Sequence, residues 1–133
     1  ALAYYQKALE FDKNYFPSHL NLGVAYAKVK KYELANESLK TALAINPQSA
    51  EAHANLGLVY MQTEKYQEAV NELNLANRNN PGNVEVIYQL GAAYEKLGKF
   101  EDAAGQYQTA LEFDPKYSLA QEGLNRLKNR AAN

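Results

Sequence analysis

The chain has 133 residues, a formal net charge of -1 at neutral pH and no cysteine. This length corresponds to one domain, and the near-zero charge gives no general reason to expect nucleic acid or an anionic membrane as a partner. The absence of cysteine excludes disulfides and thiolate metal sites. No apolar run reaches the roughly 18 residues of a membrane span, so we expect a soluble protein without membrane insertion. The sequence does not determine the cellular compartment, although the cytoplasm is slightly favoured.

The first predicted element is a helix over residues 1–12. Its residues Tyr5 and Ala8 stand 34 positions before the similar residues Leu39 and Ala42. We therefore expect residues 1–15 to be the second helix of a truncated repeat and the chain to be a piece of a longer array. The side chains that a preceding helix would cover form a candidate self-association edge, with a frayed end as the alternative. This edge contains Leu2, Tyr5 and Leu9.

Three full copies of a 34-residue unit follow, over residues 16–49, 50–83 and 84–117. In each copy a leucine–glycine pair precedes a tyrosine, two alanines and a closing proline. The glycines are Gly23, Gly57 and Gly91, and the prolines are Pro47, Pro81 and Pro115. Glycine in a helix interior costs about 1 kcal/mol relative to alanine, so its recurrence predicts a close approach between two helices. Each second helix is expected to end just before its proline.

The last predicted element is a helix within residues 118–133. Leu124 stands 34 positions after Leu90, but Asn125 replaces the expected glycine. A repeat array needs a terminal element with a polar outer face, and this helix fits that role. Its three basic residues are expected to be solvated, with a binding patch as the alternative. They are Arg126, Lys128 and Arg130.

The 34-residue period, with leucine–glycine, tyrosine, alanine and proline in this order, resembles the tetratricopeptide repeat family. The resemblance implies an all-α fold, a right-handed superhelical solenoid of antiparallel helix pairs closed by a C-terminal capping helix. It extends over the whole chain, which we treat as a single domain of residues 1–133.

The sequence contains no recognisable catalytic or metal-binding motif. It has no glycine-rich phosphate loop, nucleophile elbow or zinc-protease signature, so we expect no enzyme activity and no cofactor. His19 and His53 are 34 residues apart. Equivalent residues in successive repeats lie roughly 10 Å apart, the width of a helix layer, which is too far to share one ion. We therefore expect packing roles for both histidines and no metal site.

For function, the resemblance implies a protein-interaction scaffold in which the first helices of successive repeats line a concave groove. Asn21, Asn55 and Gln89 stand at the repeat period. Carboxamides donate and accept, so they can bond to the backbone of an extended peptide, although bonds to neighbouring repeats are an equal alternative. We expect an extended, largely apolar or uncharged peptide. The predicted groove residues are Leu20, Asn21, Val24, Ala54, Asn55, Leu58, Met61, Tyr88, Gln89 and Ala92.

One ligand known for the family does not fit these positions. The family's clamp for acidic chaperone tails has lysine and asparagine where this chain has Leu20 and Val24, and lysine where it has Glu85. We therefore do not expect that ligand, because a terminal carboxylate would meet a glutamate instead of a cationic fork. Two other functions stay open. One is a self-association module that forms homo-oligomers, and the other is the repeat region of a larger enzyme with a catalytic domain outside this chain.

Overall fold

The computed structural model describes residues 2–132, which form eight α-helices and, within that range, no β-strand. The all-α fold expected from the repeats is confirmed. The predicted domain of residues 1–133 includes Ala1 and Asn133, which lie outside the described residues. The helices are α1 (Leu2–Phe11), α2 (Phe16–Lys28), α3 (Tyr32–Ile45), α4 (Ala50–Gln62), α5 (Tyr66–Asn79), α6 (Val84–Lys96), α7 (Phe100–Phe113) and α8 (Ser118–Ala132).

The helices pack as antiparallel pairs along the chain. The pairs are α2 with α3, α4 with α5 and α6 with α7, and each pair also packs on the next. Within the described part of the chain, α1 contacts α2 alone, whereas α8 contacts both α7 and α6. The result is the solenoid expected from the repeats, in which each element meets only its near neighbours.

The curvature of the solenoid follows from which helices touch. Among the described elements, α2 contacts α4, α4 contacts α6 and α6 contacts α8, whereas no contact joins α1, α3, α5 and α7 to one another. The first set of helices is therefore more closely spaced and forms the concave side. A groove on that side is lined by α2, α4, α6 and α8.

Glycine allows the two helices of each pair to approach closely. A Cβ atom on Gly23 would lie 2.5 Å from Cγ of Leu39, and one on Gly57 would lie 2.7 Å from Cγ of Leu73. Both leucines are fully buried. The close approach predicted from the recurring glycines is confirmed.

Side-chain caps begin the first helices of the second and third pairs. Ser49 Oγ accepts a hydrogen bond from the backbone N–H of Ala52 at 3.1 Å. Asn83 Oδ1 accepts one from the backbone N–H of Val86 at 3.3 Å. These bonds satisfy donors that have no partner inside the helix, and they fix where α4 and α6 start.

The turns inside the three pairs share a left-handed residue. Its φ angle is 62° at Lys30, 61° at Glu64 and 77° at Gly98. Glycine adopts this conformation freely, whereas a side chain makes it strained. Two of the three turns are therefore built with a less favourable residue.

His53 is buried, in agreement with its predicted packing role, whereas His19 is half-buried. His53 is 7% exposed; its Nε2 donates to the Pro47 carbonyl at 2.7 Å, and its Nδ1 lies 3.1 Å from Glu72 Oε1. His19 Nε2 donates to the Lys13 carbonyl at 2.7 Å. Across residues 2–132, no group of three or more histidine, aspartate or glutamate side chains could hold a metal ion. The same part of the chain contains no helix long and apolar enough to cross a bilayer.

Candidate peptide-binding groove

The concave side carries a cavity of about 380 Å³ between α4 and α6. It brings together four of the predicted groove residues, namely Ala54, Asn55, Leu58 and Gln89. Its lining combines small apolar side chains with carboxamides, and two exposed glutamates also contribute. The remaining lining residues are Ala50, Glu51, Leu73, Ala76, Asn80, Asn83, Glu85 and Val86.

A second cavity, of about 430 Å³, lies between α2 and α4. Val24 from the predicted set lines it together with Asn55 and Leu58, which also line the first cavity. The two cavities are therefore adjacent sections of one groove that passes over α4. The other lining residues are Ala27, Lys28, Lys30, Tyr32, Val59 and Gln62.

A third cavity, of about 510 Å³, lies between α6 and α8 and contains the predicted residues Tyr88 and Ala92. The ring of Tyr88 packs between those of Tyr107 and Tyr117, with centroid separations of 5.8 Å to each. These two neighbouring rings hold Tyr88 in place as part of the cavity wall. The other lining residues are Glu95, Lys96, Gly98, Phe100, Arg126 and Arg130.

Three predicted groove residues line none of these cavities. Leu20 is 7% exposed and belongs to the main hydrophobic core. Met61 is half-buried and packs against the same core, and Asn21 is exposed on α2. Leu20 and Met61 therefore support the concave helices from within.

The three carboxamides at the repeat period, Asn21, Asn55 and Gln89, keep polar atoms available. Asn55 Nδ2 donates to the Glu51 carbonyl of its own helix at 2.9 Å. Within residues 2–132, no hydrogen bond joins Asn21, Asn55 or Gln89 to another repeat. Each of them thus retains at least one polar atom for solvent or for a ligand.

Three helices meet at the carboxylate of Glu95, at the C-terminal end of the groove. Glu95 Oε1 accepts hydrogen bonds from Tyr107 Oη at 2.7 Å and Arg126 Nη2 at 3.0 Å, and Arg126 Nε donates to Oε2 at 3.2 Å. Burial alone would raise the pKa of Glu95, but the bonds from Arg126 and Tyr107 outweigh it and hold this pKa below its usual value. Burial and the bond to Glu95 raise the pKa of Tyr107. The cluster therefore fastens α8 to α6 and α7.

Sequence reasoning missed this cluster because it placed Arg126 on a solvated face. A signal was present at residue 107, where the earlier copies have Leu39 and Leu73. A buried tyrosine brings a hydroxyl that needs a hydrogen-bond partner, so the leucine-to-tyrosine change pointed to a polar contact nearby.

The predicted self-association edge is only partly exposed. Leu2, Tyr5 and Leu9 are half-buried, whereas Tyr4 is 75% exposed and Phe11 is 88% exposed. Sequence reasoning named the residues on the α2 side of α1 and missed these two. Helical spacing alone does not show which side of α1 faces α2, its one neighbour in the described structure.

Comparison with family models matches nearly the whole chain. A model described as TPR repeat matches residues 28–64 and 57–98, and models described as tetratricopeptide repeat match residues 84–117 and 4–35. A search of curated protein sequences gave no match.

Several solved structures share the fold. A crystal structure of MamA has a TM-score of 0.95 and 26% identity, covering 98% of this chain and 77% of the MamA chain. A crystal structure of YrrB, described as a TPR protein with an unusual peptide-binding site, has a TM-score of 0.87 and 26% identity, covering 96% of this chain and 66% of that one. The first TPR of Spaghetti (RPAP3), bound to an HSP90 peptide, has a TM-score of 0.85 and 24% identity, covering 89% and 94%.

Proposed function

Because the chain belongs to the tetratricopeptide repeat family, we propose that it is a protein-interaction scaffold that binds an extended, largely apolar or uncharged peptide segment in its concave groove. The observation that carries this proposal is the continuity of the groove across α4. Asn55 and Leu58 each line the cavity toward α2 and the cavity toward α6. A peptide that crosses α4 would therefore stay in contact with both side chains.

The chemistry of the lining supports this class of ligand. Val24, Leu58 and Val86 supply apolar surface, while Asn55 and Gln89 supply groups that donate and accept. Apolar contacts would contribute affinity, and the carboxamides would bond to a peptide backbone whatever its side chains. The likeness to YrrB, described as having a peptide-binding site, supports a peptide as the ligand here.

The proposed role is binding without catalysis. The sequence carries no catalytic motif, and every predicted groove residue is apolar, aromatic or a carboxamide. Apolar side chains and carboxamides provide no nucleophile and no general acid or base near neutral pH. The one tyrosine of the set, Tyr88, packs its ring against Tyr107 and Tyr117. Hydrolase or transferase activity of the purified chain would contradict this part of the proposal.

A peptide-library selection tests the groove. Peptides of random sequence, about ten residues long, are selected on the immobilised chain, and the affinity of each selected peptide is measured by fluorescence anisotropy. Leu58→Glu should weaken binding at least tenfold, because it places a charge against the apolar peptide. Leu34→Glu is the matched control, since Leu34 is 41% exposed on the outer helix α3. Equal affinities for Leu58→Glu and Leu34→Glu would contradict the proposal.

Self-association is a second candidate function, favoured by the exposure of Tyr4 and Phe11 on α1. Large exposed aromatic side chains on one helix form the kind of patch that a second protein covers. Sedimentation across a concentration range tests it, with Phe11→Glu and Leu58→Glu compared with the unmodified chain. This candidate would be supported if the unmodified chain had a mass above that of the monomer and Phe11→Glu reduced it to the monomer mass. A monomer at every concentration would exclude it.

A further inference from the structure

The cavity between α4 and α6 differs in charge from its two neighbours in the groove. Its lining contains two glutamates, Glu51 and Glu85, and no lysine or arginine. The lining between α2 and α4 contains two lysines and no carboxylate. The lining between α6 and α8 contains three cationic side chains and one carboxylate. Of these three cavities, the middle one alone is therefore acidic, and it lies between two basic sections.

Small side chains on α4 open this cavity. The wall formed by α4 contains Ala50 and Ala54. The corresponding residues one repeat earlier are Phe16 and Leu20, which are both larger. The cavity reaches as far as α5, because the buried Leu73 is part of its lining. An apolar interior with acidic residues in its lining suits a side chain that has an aliphatic stem and a cationic head.

Neither glutamate is paired with a cationic side chain of this chain. Within residues 2–132, the carboxylates of Glu51 and Glu85 take part in no ion pair. Both glutamates are exposed in the first turns of α4 and α6, where each helix end offsets about half a charge. Asn80, the C-cap of α5, also lines the cavity, and the end of that helix adds partial negative charge. The cavity therefore keeps a net negative charge.

Carboxamides add neutral hydrogen-bond acceptors around the two glutamates. Asn55, Asn80 and Gln89 line the same cavity, and each has a side-chain carbonyl oxygen. A guanidinium group has five N–H donors in one plane and is less strongly hydrated than an ammonium group. It also pairs with a carboxylate through two parallel hydrogen bonds. Arginine thus offers more donors to this set of acceptors than lysine does.

We propose that the cavity between α4 and α6 binds an arginine side chain of the peptide segment that occupies the groove. The aliphatic part of the arginine would lie against Ala54 and Leu73, and its guanidinium would pair with Glu51 and Glu85. This assignment rests on the proposed function, and it deepens that function by placing one basic residue in an otherwise apolar or uncharged peptide. Because the flanking sections repel positive charge, the arginine would fix the register of the peptide along the groove.

The test uses a peptide from the library selection whose binding is weakened by Leu58→Glu. Arginine is placed at each position of this peptide in turn, and citrulline, which has a similar shape and no charge, is placed at the same positions as the neutral match. At low salt, arginine at one position should bind about threefold to tenfold more tightly than citrulline, as expected for exposed ion pairs with two carboxylates. The advantage should shrink at high salt, because screening weakens such pairs.

Variants then assign the effect to the cavity. The double variant Glu51→Gln with Glu85→Gln should bring the arginine and citrulline peptides to equal affinity. The matched control is Glu68→Gln with Glu101→Gln, which removes two exposed first-turn carboxylates from the second helices α5 and α7. Neither of these residues lines the cavity. The control changes the net charge of the chain by the same amount and should retain the arginine advantage.

Three results would overturn the inference. Equal binding of arginine and citrulline peptides at every position would overturn it and leave the proposed function standing. An arginine advantage that survives the first double variant, or that the control also abolishes, would not come from this cavity, with the same consequence. A selection that yields no peptide sensitive to Leu58→Glu would overturn the inference and the proposed function together.

Discussion

Tyr107 packs directly on Gly123 of the capping helix, where an added Cβ atom would lie 2.6 Å from Cε2 of the ring. On the opposite edge, a Cβ atom on Gly91 would lie 2.6 Å from Cε1. The fully buried ring is thus held between α6 and α8, and its hydroxyl donates to Glu95. A tyrosine here reaches the next helix, whereas the corresponding Leu73 is shorter, and glycine is therefore required on both sides.

Substitution of Gly123 should weaken the attachment of α8. Gly123→Ala forces the ring of Tyr107 or the backbone of α8 to move, and such overpacking typically costs about 1–3 kcal/mol. The gain in helix propensity, up to about 1 kcal/mol, offsets part of this cost. We expect a net loss of about 1 kcal/mol in the free energy of unfolding, measured by urea denaturation.

Gly105→Ala is the matched control for this prediction. Gly105 lies inside α7, and a Cβ atom there would meet nothing within 4 Å. Alanine should therefore stabilise the chain by about 0.5–1 kcal/mol through helix propensity alone. A stabilising Gly123→Ala would show that the ring does not need the space above Gly123.

The left-handed residues inside the helix pairs predict two stabilising substitutions. Lys30 has a φ of 62° and Glu64 a φ of 61°. Replacing either with glycine removes strain of about 1 kcal/mol, less the extra entropy that glycine has in the unfolded chain. We expect each variant to raise the free energy of unfolding by about 0.5 kcal/mol. Gly98→Ala should lower it, and opposite signs would contradict the assigned turn geometry.

Asn77 has a buried polar atom, Oδ1, that is not hydrogen-bonded to any of the described residues. The equivalent positions in the neighbouring repeats are Leu43 and Leu111, which pack against the hydrophobic clusters. Asn77→Leu should therefore raise the free energy of unfolding by about 1–2 kcal/mol, because an unsatisfied buried polar atom is removed.

The control for Asn77 is a leucine on the exposed side of the same helix. Asn71→Leu, at an exposed position of α5, should change the free energy of unfolding by less than about 0.5 kcal/mol. A similar gain from both leucines would attribute the effect to helix propensity and not to the buried carboxamide.

Glu95 predicts a pH dependence of stability. Its pKa is lowered in the folded chain, so near that pKa the unfolded chain binds more protons and stability rises with pH. The contribution is fully present above the unfolded pKa of about 4 and is lost as the pH falls through the folded value. Glu95→Gln should cost about 1 kcal/mol at pH 7, a modest value because Arg126 is half-exposed. The difference from the unmodified chain should shrink below about pH 4; a constant difference down to pH 3 would assign the effect to packing.

The periodic features of the fold could be predicted from the sequence. The glycines that allow close approach recur at the repeat period, and the caps Ser49 and Asn83 each act within their own helix. The capping helix could not be predicted as well, because it departs from the repeat. The glycine was expected at position 125, whereas the contact with Tyr107 is made by Gly123.

The groove was predictable only in part for a different reason. The first helices are apolar on more than one side, and sequence spacing does not tell an inward-facing leucine from a groove-facing one. Leu20 is buried in the core while Leu58 lines two cavities, although both lie on first helices. The ion pair at the C-terminal end of the groove joins Glu95 to Arg126, 31 residues apart, and the period of 34 does not encode this contact.

The most direct test of the central claim locates a selected peptide on the chain by NMR chemical-shift mapping. The account predicts shift changes on the concave helices, at Val24, Leu58 and Gln89, and no change on the outer helices at Leu34 and Asn71. Changes confined to the outer helices or to α1 would contradict a peptide-binding groove on the concave side.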